Sequence, residues 1–508
     1  MGIALRFLVC LTATFGFGGI SEFAVGDSGP DEAEERRQGN RKEGNRKEGN
    51  RKEGNRKGKS RERLSLREVL SAQGVQPLGP PLAQNPDHVA LGQMLFFDWE
   101  LSGNRNIACA TCHHPTLGTA DGLSLSVGTS HVSPGFLGPD RVLEIGKELM
   151  PRNAPDVFNR GSLQWSSQFW DSRLVATPTG FISPAGDQLP TGMPNILSVQ
   201  AMFPVTSRDE MRGHPGDLDS FDQPNELALI ADEDFSGQWE ALANRLLAIP
   251  EYRTLFAAAF PNVPLDDIGF EHAAIAIAAF EIEAYTLTDS PWDRFVAGNN
   301  QAISTAQKRG AKLFYGKANC STCHSGTLFT DQKHYNIGVP QLGPGKGGDK
   351  PFDHGRARET GRVEDKFCFR TPPLRNVTET GPYMHNGAYA ELEDVIRHHV
   401  DPLISLLAYD PDEFIEQNEL INTFEVLNQS EVAVTIMKTG VPALSNNEIQ
   451  DLVSFLKTLT ATDIQRRLQA TVPQAVPSGL MDQVSSSGSG RSGGSSGSGR
   501  SGNKGRRK

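Results

Sequence analysis

Two pentapeptides, CATCH at residues 109–113 and CSTCH at residues 320–324, concentrate most of the chain's thiol chemistry. Cys109, Cys112, Cys320 and Cys323 are four of only 6 cysteines in 508 residues, and His113 or His324 follows each pair at once. In a C-x-x-C-H frame the two thiols add to porphyrin vinyl groups and the adjacent imidazole becomes an iron ligand, so the frame is an attachment signature for c-type haem. Two other chemistries use paired cysteines. A thioredoxin-like redox pair has no need of the neighbouring histidine, and a zinc site calls for further Cys or His pairs nearby. Histidine is also scarce, at 12 residues, so a second copy of the frame is not expected by chance. The spacing predicts two covalently bound haems. Cys368 has no such partner and reads as a small buried residue.

The elements that must position these motifs are helical. "PDHVALGQMLFFD" and "SNNEIQDLVSFLKTL" carry apolar residues at helical spacing, and Ser445 is an expected N-cap for the second. Strand-type alternation is scarce. The prediction is a mainly α protein with two cytochrome c-like haem domains, long ordered loops and disordered tails. A break near Ser290-Pro291 gives domains of 65–290 and 291–466, each holding one motif.

Composition limits the partners. The formal charge of -11 argues against a nucleic-acid binder, because phosphate binding needs a basic surface. Residues 1–26 show Arg6, an apolar run and small residues, the pattern of a secretory signal peptide cut after Gly26, with Cys10 leaving in the removed part. A membrane anchor there is the weaker alternative, since the apolar run is short and broken by glycines. The apolar stretch at 268–287 carries Glu271, His272, Glu281 and Glu283, so no transmembrane anchor is expected after signal removal. Export to the periplasm or another extracytoplasmic space follows. Residues 27–64 include the charged repeat "GNRKEGNRKEGNRKEGNRKG", and 467–508 form a Gly/Ser-rich basic tail; both read as solvated spacers.

The stretch from 86 to 459 resembles the bacterial di-haem cytochrome c peroxidases and the MauG-type di-haem enzymes. The resemblance rests on "LGQMLFFDWELSGNRNIACATCHHP", "RNAPDVFN", "FWD", "RGAKLFYGKANCSTCHSG", "FRTPPLRNVTETGPYMHNGAY" and "LSNNEIQDLVSFLKTL". It implies that His113 is the proximal ligand of a peroxidatic haem and His324 that of an electron-relay haem. It implies a catalytic Glu210, ten residues after Gln200 with Pro204 between them, and Trp170 lying between the haems. Trp165 reads as packing. The segment between Trp170 and Gln200, with "FISPAGDQLPTG", is longer than the family pattern and is expected to remodel the rim of the first site. Where family peroxidases carry a histidine that blocks the first iron, this chain has Thr129. His131, two residues on, either substitutes or is a loop or solvent histidine. The first iron is therefore expected to be open even when fully oxidised.

The resemblance places the second iron's distal ligand nineteen residues after Thr380, at His399. Helical geometry agrees: Leu392, Val395, Ile396 and His399 share one stripe, while His398 is expected on the polar side. Met384 is the alternative ligand. Histidine in place of methionine should lower the potential of that haem. A calcium ion between the domains is also implied, held by Asn153, Thr380 and Pro382. The expected function is reduction of hydrogen peroxide with electrons from a cytochrome c or a small copper protein. The alternatives are a MauG-like oxidation of a partner protein's residues and non-catalytic electron transfer. The sequence leaves open whether the chain forms a homodimer.

Overall fold

A computed structural model of the chain describes residues 65–132, 135–414, 429–437 and 439–482. The signal segment with Cys10, the charged repeat and residues 483–508 of the tail lie outside the described residues.

Helices dominate, and their starts follow local chemistry. Helix α1 (Leu66–Ala72) opens on a reciprocal cap between Ser65 and Glu68. Helix α2 (Pro86–Phe97) has Asn85 accepting from the Asp87 N–H at 3.0 Å, with proline at the first helical position, where no amide donor is needed. Helices α3 (Ile196–Ala201), α4 (Phe235–Leu247) and α5 (Pro250–Ala259) lead to the alanine-rich α6 (Phe270–Tyr285). Then come α7 (Thr305–Phe314), α8 (Leu392–Val400), α9 (Asn446–Leu456) and α10 (Ile464–Gln469). Ser445 caps α9, as its sequence predicts.

Two helix crossings are close enough to require glycine. At Gly92 on α2, an added Cβ would lie 1.9 Å from the Ala276 carbonyl oxygen of α6. At Gly310 on α7, it would lie 1.9 Å from the Asp451 carbonyl oxygen of α9. Each crossing sits just upstream of one cysteine motif in sequence.

Buried apolar residues gather in two main clusters. The first runs from Leu78 to Leu287 and takes in Leu328, Ala461, Ile464, Leu468 and Val476. The second runs from Trp292 to Leu459 and takes in Leu66 and Leu70. The clusters change over at Ser290, which caps the short helix Pro291–Val296. The ends of the described chain are therefore exchanged: α1 packs on the second cluster, and α10 with the residues after it packs on the first. Residues 467–482, expected to belong to the tail, are instead ordered against the core. Leu468 is fully buried, and Asp482 accepts from the Thr111 hydroxyl at 2.6 Å.

Two small antiparallel sheets complete the frame. Strands β1 (Ser167–Gln168), β2 (Leu174–Thr177) and β3 (Gly180–Ile182) form a meander, with Gln168 opposite Leu174 and Ala176 opposite Phe181. Strands β4 (His334–Tyr335) and β5 (Phe369–Arg370) pair His334 with Arg370. Among the described residues, no helix is long and apolar enough to cross a membrane.

Candidate active site

Each cysteine motif opens on its own cavity. The first, about 370 Å³, is lined by Cys109, Cys112 and His113 from a one-turn helix, with Gln200 and Glu210. The second, about 490 Å³, is lined by Cys320, Cys323 and His324, with His399 and Met384. Both volumes fall in the roughly 300–1,000 Å³ range of small-molecule sites. The cavities share lining residues, among them Trp170, Asn153, Arg160 and Arg370.

The thiols are not placed as a reactive thiolate pair. All four are free, and burial pushes Cys109 and Cys320 up to about 12, the reverse of what a reactive thiolate pair requires. Among the described residues no group of three or more His, Cys, Asp or Glu is disposed to hold a metal ion.

The cavity histidines are oriented by backbone carbonyls. His113 Nδ1 lies 3.3 Å from the Thr119 carbonyl oxygen, and His324 Nδ1 lies 3.1 Å from that of Phe329. A carbonyl there accepts a hydrogen bond from Nδ1–H, fixes the ring and leaves the Nε2 lone pair free to bind a metal. Burial pushes both rings down to about 4, so they are neutral near pH 7. His399 repeats the arrangement, with Nδ1 2.8 Å from the Val395 carbonyl oxygen, and its ring centroid stands 6.4 Å from that of His324. Two nitrogens each about 2 Å from one metal atom fit that separation.

His398 is not on a polar face. It is fully buried, with Nε2 2.8 Å from the Ile337 carbonyl oxygen and Nδ1 2.9 Å from the Tyr389 hydroxyl and 3.0 Å from that of Ser405. The helical period placed it correctly relative to His399. What the period cannot show is that distant chain covers the opposite side of α8.

Glu210 lies in a π-turn, Arg208–Arg212, a geometry frequent at functional sites. Burial raises its pKa, against the opposing pull of Arg173 and Lys346. Thr129 and His131 are not among the cavity's lining residues. The Thr129 hydroxyl donates to Asn106 at 2.8 Å, and His131 is a buried histidine, not a solvent one, with Nε2 3.2 Å from the Asn106 carbonyl oxygen. The long segment after Trp170 does not form the rim. Residues 174–196 contribute nothing to the lining; β2 and β3 form a hairpin, and Phe181 packs on the first cluster.

Trp170 lines both cavities, and its Nε1 donates to the Asn153 carbonyl oxygen at 3.1 Å. The adjacent Asp171 accepts from Arg152 at 2.6 Å, and Arg152 also grips Asp353 of the second half through two bonds of 2.6 and 2.9 Å. Trp165 packs as expected, with Arg160 4.6 Å and Arg370 4.8 Å from its ring and its Nε1 bonded to the Asn159 carbonyl oxygen. Asn153, Thr380 and Pro382 all line the second cavity. Cys368 is buried.

Arg370 bears on whether haem fits. It lines both cavities, and its Nη1 is buried without a hydrogen-bond partner. Burial lowers the guanidinium to about 9. A haem carries two carboxylates, which is the kind of group this guanidinium lacks. The thiols, the neutral imidazoles and this orphaned donor therefore suit the cofactor.

Sequence reasoning missed Glu281, Arg173 and Lys346, which all line the first cavity. Glu281 could have been noticed as a lone carboxyl in an apolar run; burial pushes it up to about 8. Lys346 sits in a glycine-rich loop and gives no sequence signal.

A di-haem cytochrome c peroxidase family profile matches residues 86–301. The chain is 31% identical over 368 residues to the methylamine utilization protein MauG of Methylorubrum extorquens, covering 71% of this chain and 83% of that protein. It is 31% identical over 321 residues to the cytochrome c551 peroxidase of Pseudomonas aeruginosa, covering 63% and 72%. The solved structure of a MauG-like protein associated with microbial copper homeostasis matches with a TM-score of 0.53 and 25% identity, covering 77% of this chain and 96% of that one.

Proposed function

The chain belongs to the di-haem cytochrome c peroxidase family, a family of oxidoreductases, and from that premise we propose that it reduces hydrogen peroxide to water with electrons from a cytochrome c or a small copper protein. The observation that carries this is the pair of C-x-x-C-H cavities meeting at Trp170, with Glu210 and Gln200 in the first alone. Two covalent c-type haems would occupy them, one in each of two domains, 65–290 and 291–466. The first domain is completed by the returning residues after 460. When bound, haem supplies the iron at which peroxide is reduced and the iron through which electrons arrive.

The protein's own groups do the rest. His113 would hold the first iron, and His324 with His399 would hold the second, each ring already oriented by a backbone carbonyl at Nδ1. Glu210 takes a proton from one peroxide oxygen and returns it to the departing oxygen, and Gln200 orients the substrate. The indole of Trp170 offers a readily oxidised path between the cavities. Asn153, Thr380 and Pro382 would supply oxygens to calcium. The protein would work in the periplasm or another exported location.

His399 in place of methionine also supports a second reading, MauG-like oxidation of a partner protein, because a histidine pair favours the ferric state. Purified holoprotein mixed with stoichiometric peroxide, with and without reduced cytochrome c, separates the two. Peroxidase activity gives rapid donor oxidation that falls by about a hundredfold or more in Glu210→Gln. A long-lived oxidised spectrum with sluggish donor turnover supports partner oxidation, and no reaction leaves electron transfer alone.

A further inference from the structure

We propose that Lys346, carried into the first cavity by the second half of the chain, is a second proton donor to the peroxide, without which the site is incomplete. The inference rests on the peroxidase reading above.

The placement is built. Lys346 shares the cavity wall with Glu210, Gln200 and Arg173. Its loop is held at both sides: the Lys346 amide donates to the Phe352 carbonyl oxygen at 2.8 Å, and Arg358 donates to the Lys346 carbonyl oxygen at 2.6 Å. Gly345, just before it, has φ +72° and lies so close to Pro351 that an added Cβ would meet that backbone at 2.4 Å. The lysine's position is therefore set by backbone, not by a trailing loop.

Against that frame of bonds the side chain stands apart. The neighbouring cations are paired: Arg152 with Asp171 and Asp353, Arg173 with Asp171, Lys350 with Glu148, and Arg358 with Asp349. Among the described residues Lys346 Nζ has neither a hydrogen-bond partner nor an ion pair. Lys346 is half-buried, and an ammonium partly withdrawn from water with no partner carries a cost that a group entering the cavity offsets.

The groups facing Lys346 are Arg152 and Arg173, which disfavour its charge, and Asp171 and Asp353, which favour it; Glu210 feels the lysine in turn. Burial comes first and the arginines add to it, and together they push the ammonium down to about 7. At neutral pH such a group gives up a proton and regains one readily.

Peroxide reduction needs such a source. As the O–O bond breaks, Glu210 moves one of the substrate's own protons to the departing oxygen, and that water carries both of the protons the substrate brought. The other oxygen becomes water only with two electrons, which come from the redox donor, and two further protons. Lys346 Nζ delivers one of them and is reprotonated from solvent.

The test uses holoprotein with Lys346→Met and Lys346→Arg, measuring kcat against pH together with the potential of the first haem. In the wild type kcat should fall as pH rises through about 7, where the donor is lost. The Met variant should run about a hundredfold slower below neutrality and lose that limb of the profile. Arg stays charged throughout, so that variant should keep the first haem's potential yet be as slow as Met. The proposal is overturned if either variant keeps the wild-type profile, or if Met shifts the haem potential while Arg restores full activity; the lysine would then be a charge partner for a cofactor carboxylate. Failure of the wild type to reduce peroxide would instead sink the peroxidase reading.

Discussion

On α8 two adjacent histidines meet different surroundings: His398 is bonded to Tyr389, Ser405 and the Ile337 carbonyl, while His399 faces His324 across 6.4 Å. The 3.6-residue period put His399 on the stripe that faces the second motif. It also put His398 on the opposite side, but could not show that side buried, because the covering surface comes from residues 337 and 389, which no local pattern connects. The same split runs through the first cavity. Glu210, Gln200 and Trp170 were legible through family spacing, and all three line it. Lys346 and Arg173 were not, since their relevance comes only from tertiary approach. Replacing His399 with methionine should raise the second haem's midpoint potential by a measurable part of the roughly 0.8 V that axial ligands span. Spectroelectrochemical titration checks this, and an unchanged potential would show that His399 does not bind the iron.

Helices were legible where apolar spacing announces them, as in α2 and α9, and Ser445 caps the second as its sequence predicts. How they cross was not, because Gly92 and Gly310 read in sequence only as weak helix formers. Alanine in a helix normally stabilises relative to glycine by up to about 1 kcal/mol. At Gly310 the sign reverses, since the new Cβ would fall 1.9 Å from the Asp451 carbonyl oxygen, a backbone atom that cannot swing aside. Gly310→Ala should cost roughly 1–3 kcal/mol as the helices are forced apart. Thermal melts followed at the haem absorbance should show the drop. Gly79→Ala, where an added Cβ meets nothing within 4 Å, should leave Tm unchanged.

For the molecule as a whole, composition suggests a Gly/Ser-rich basic tail from residue 467. Yet Leu468 and Val476 join the first cluster, and three ties follow: Ser478 with Asp98, the Leu480 carbonyl with the Trp99 amide, and Asp482 with Thr111 inside the first motif. Asp98 is further held by the Tyr252 hydroxyl at 2.7 Å. Truncation after Gln469 should therefore lower haem retention and thermal stability at the first site while sparing the second. Pyridine haemochrome content and melts resolved by haem would register this, and equal loss at both sites would contradict it. The exchanged ends also impose an order on biosynthesis. A ribosome releases Cys109 long before Asp482 exists, so the seal over Thr111 is the last piece of that lobe to be made. The bond between Thr111 and Asp482 spans 371 positions of sequence, so the first motif is tied down only when nearly all of the described chain is in place.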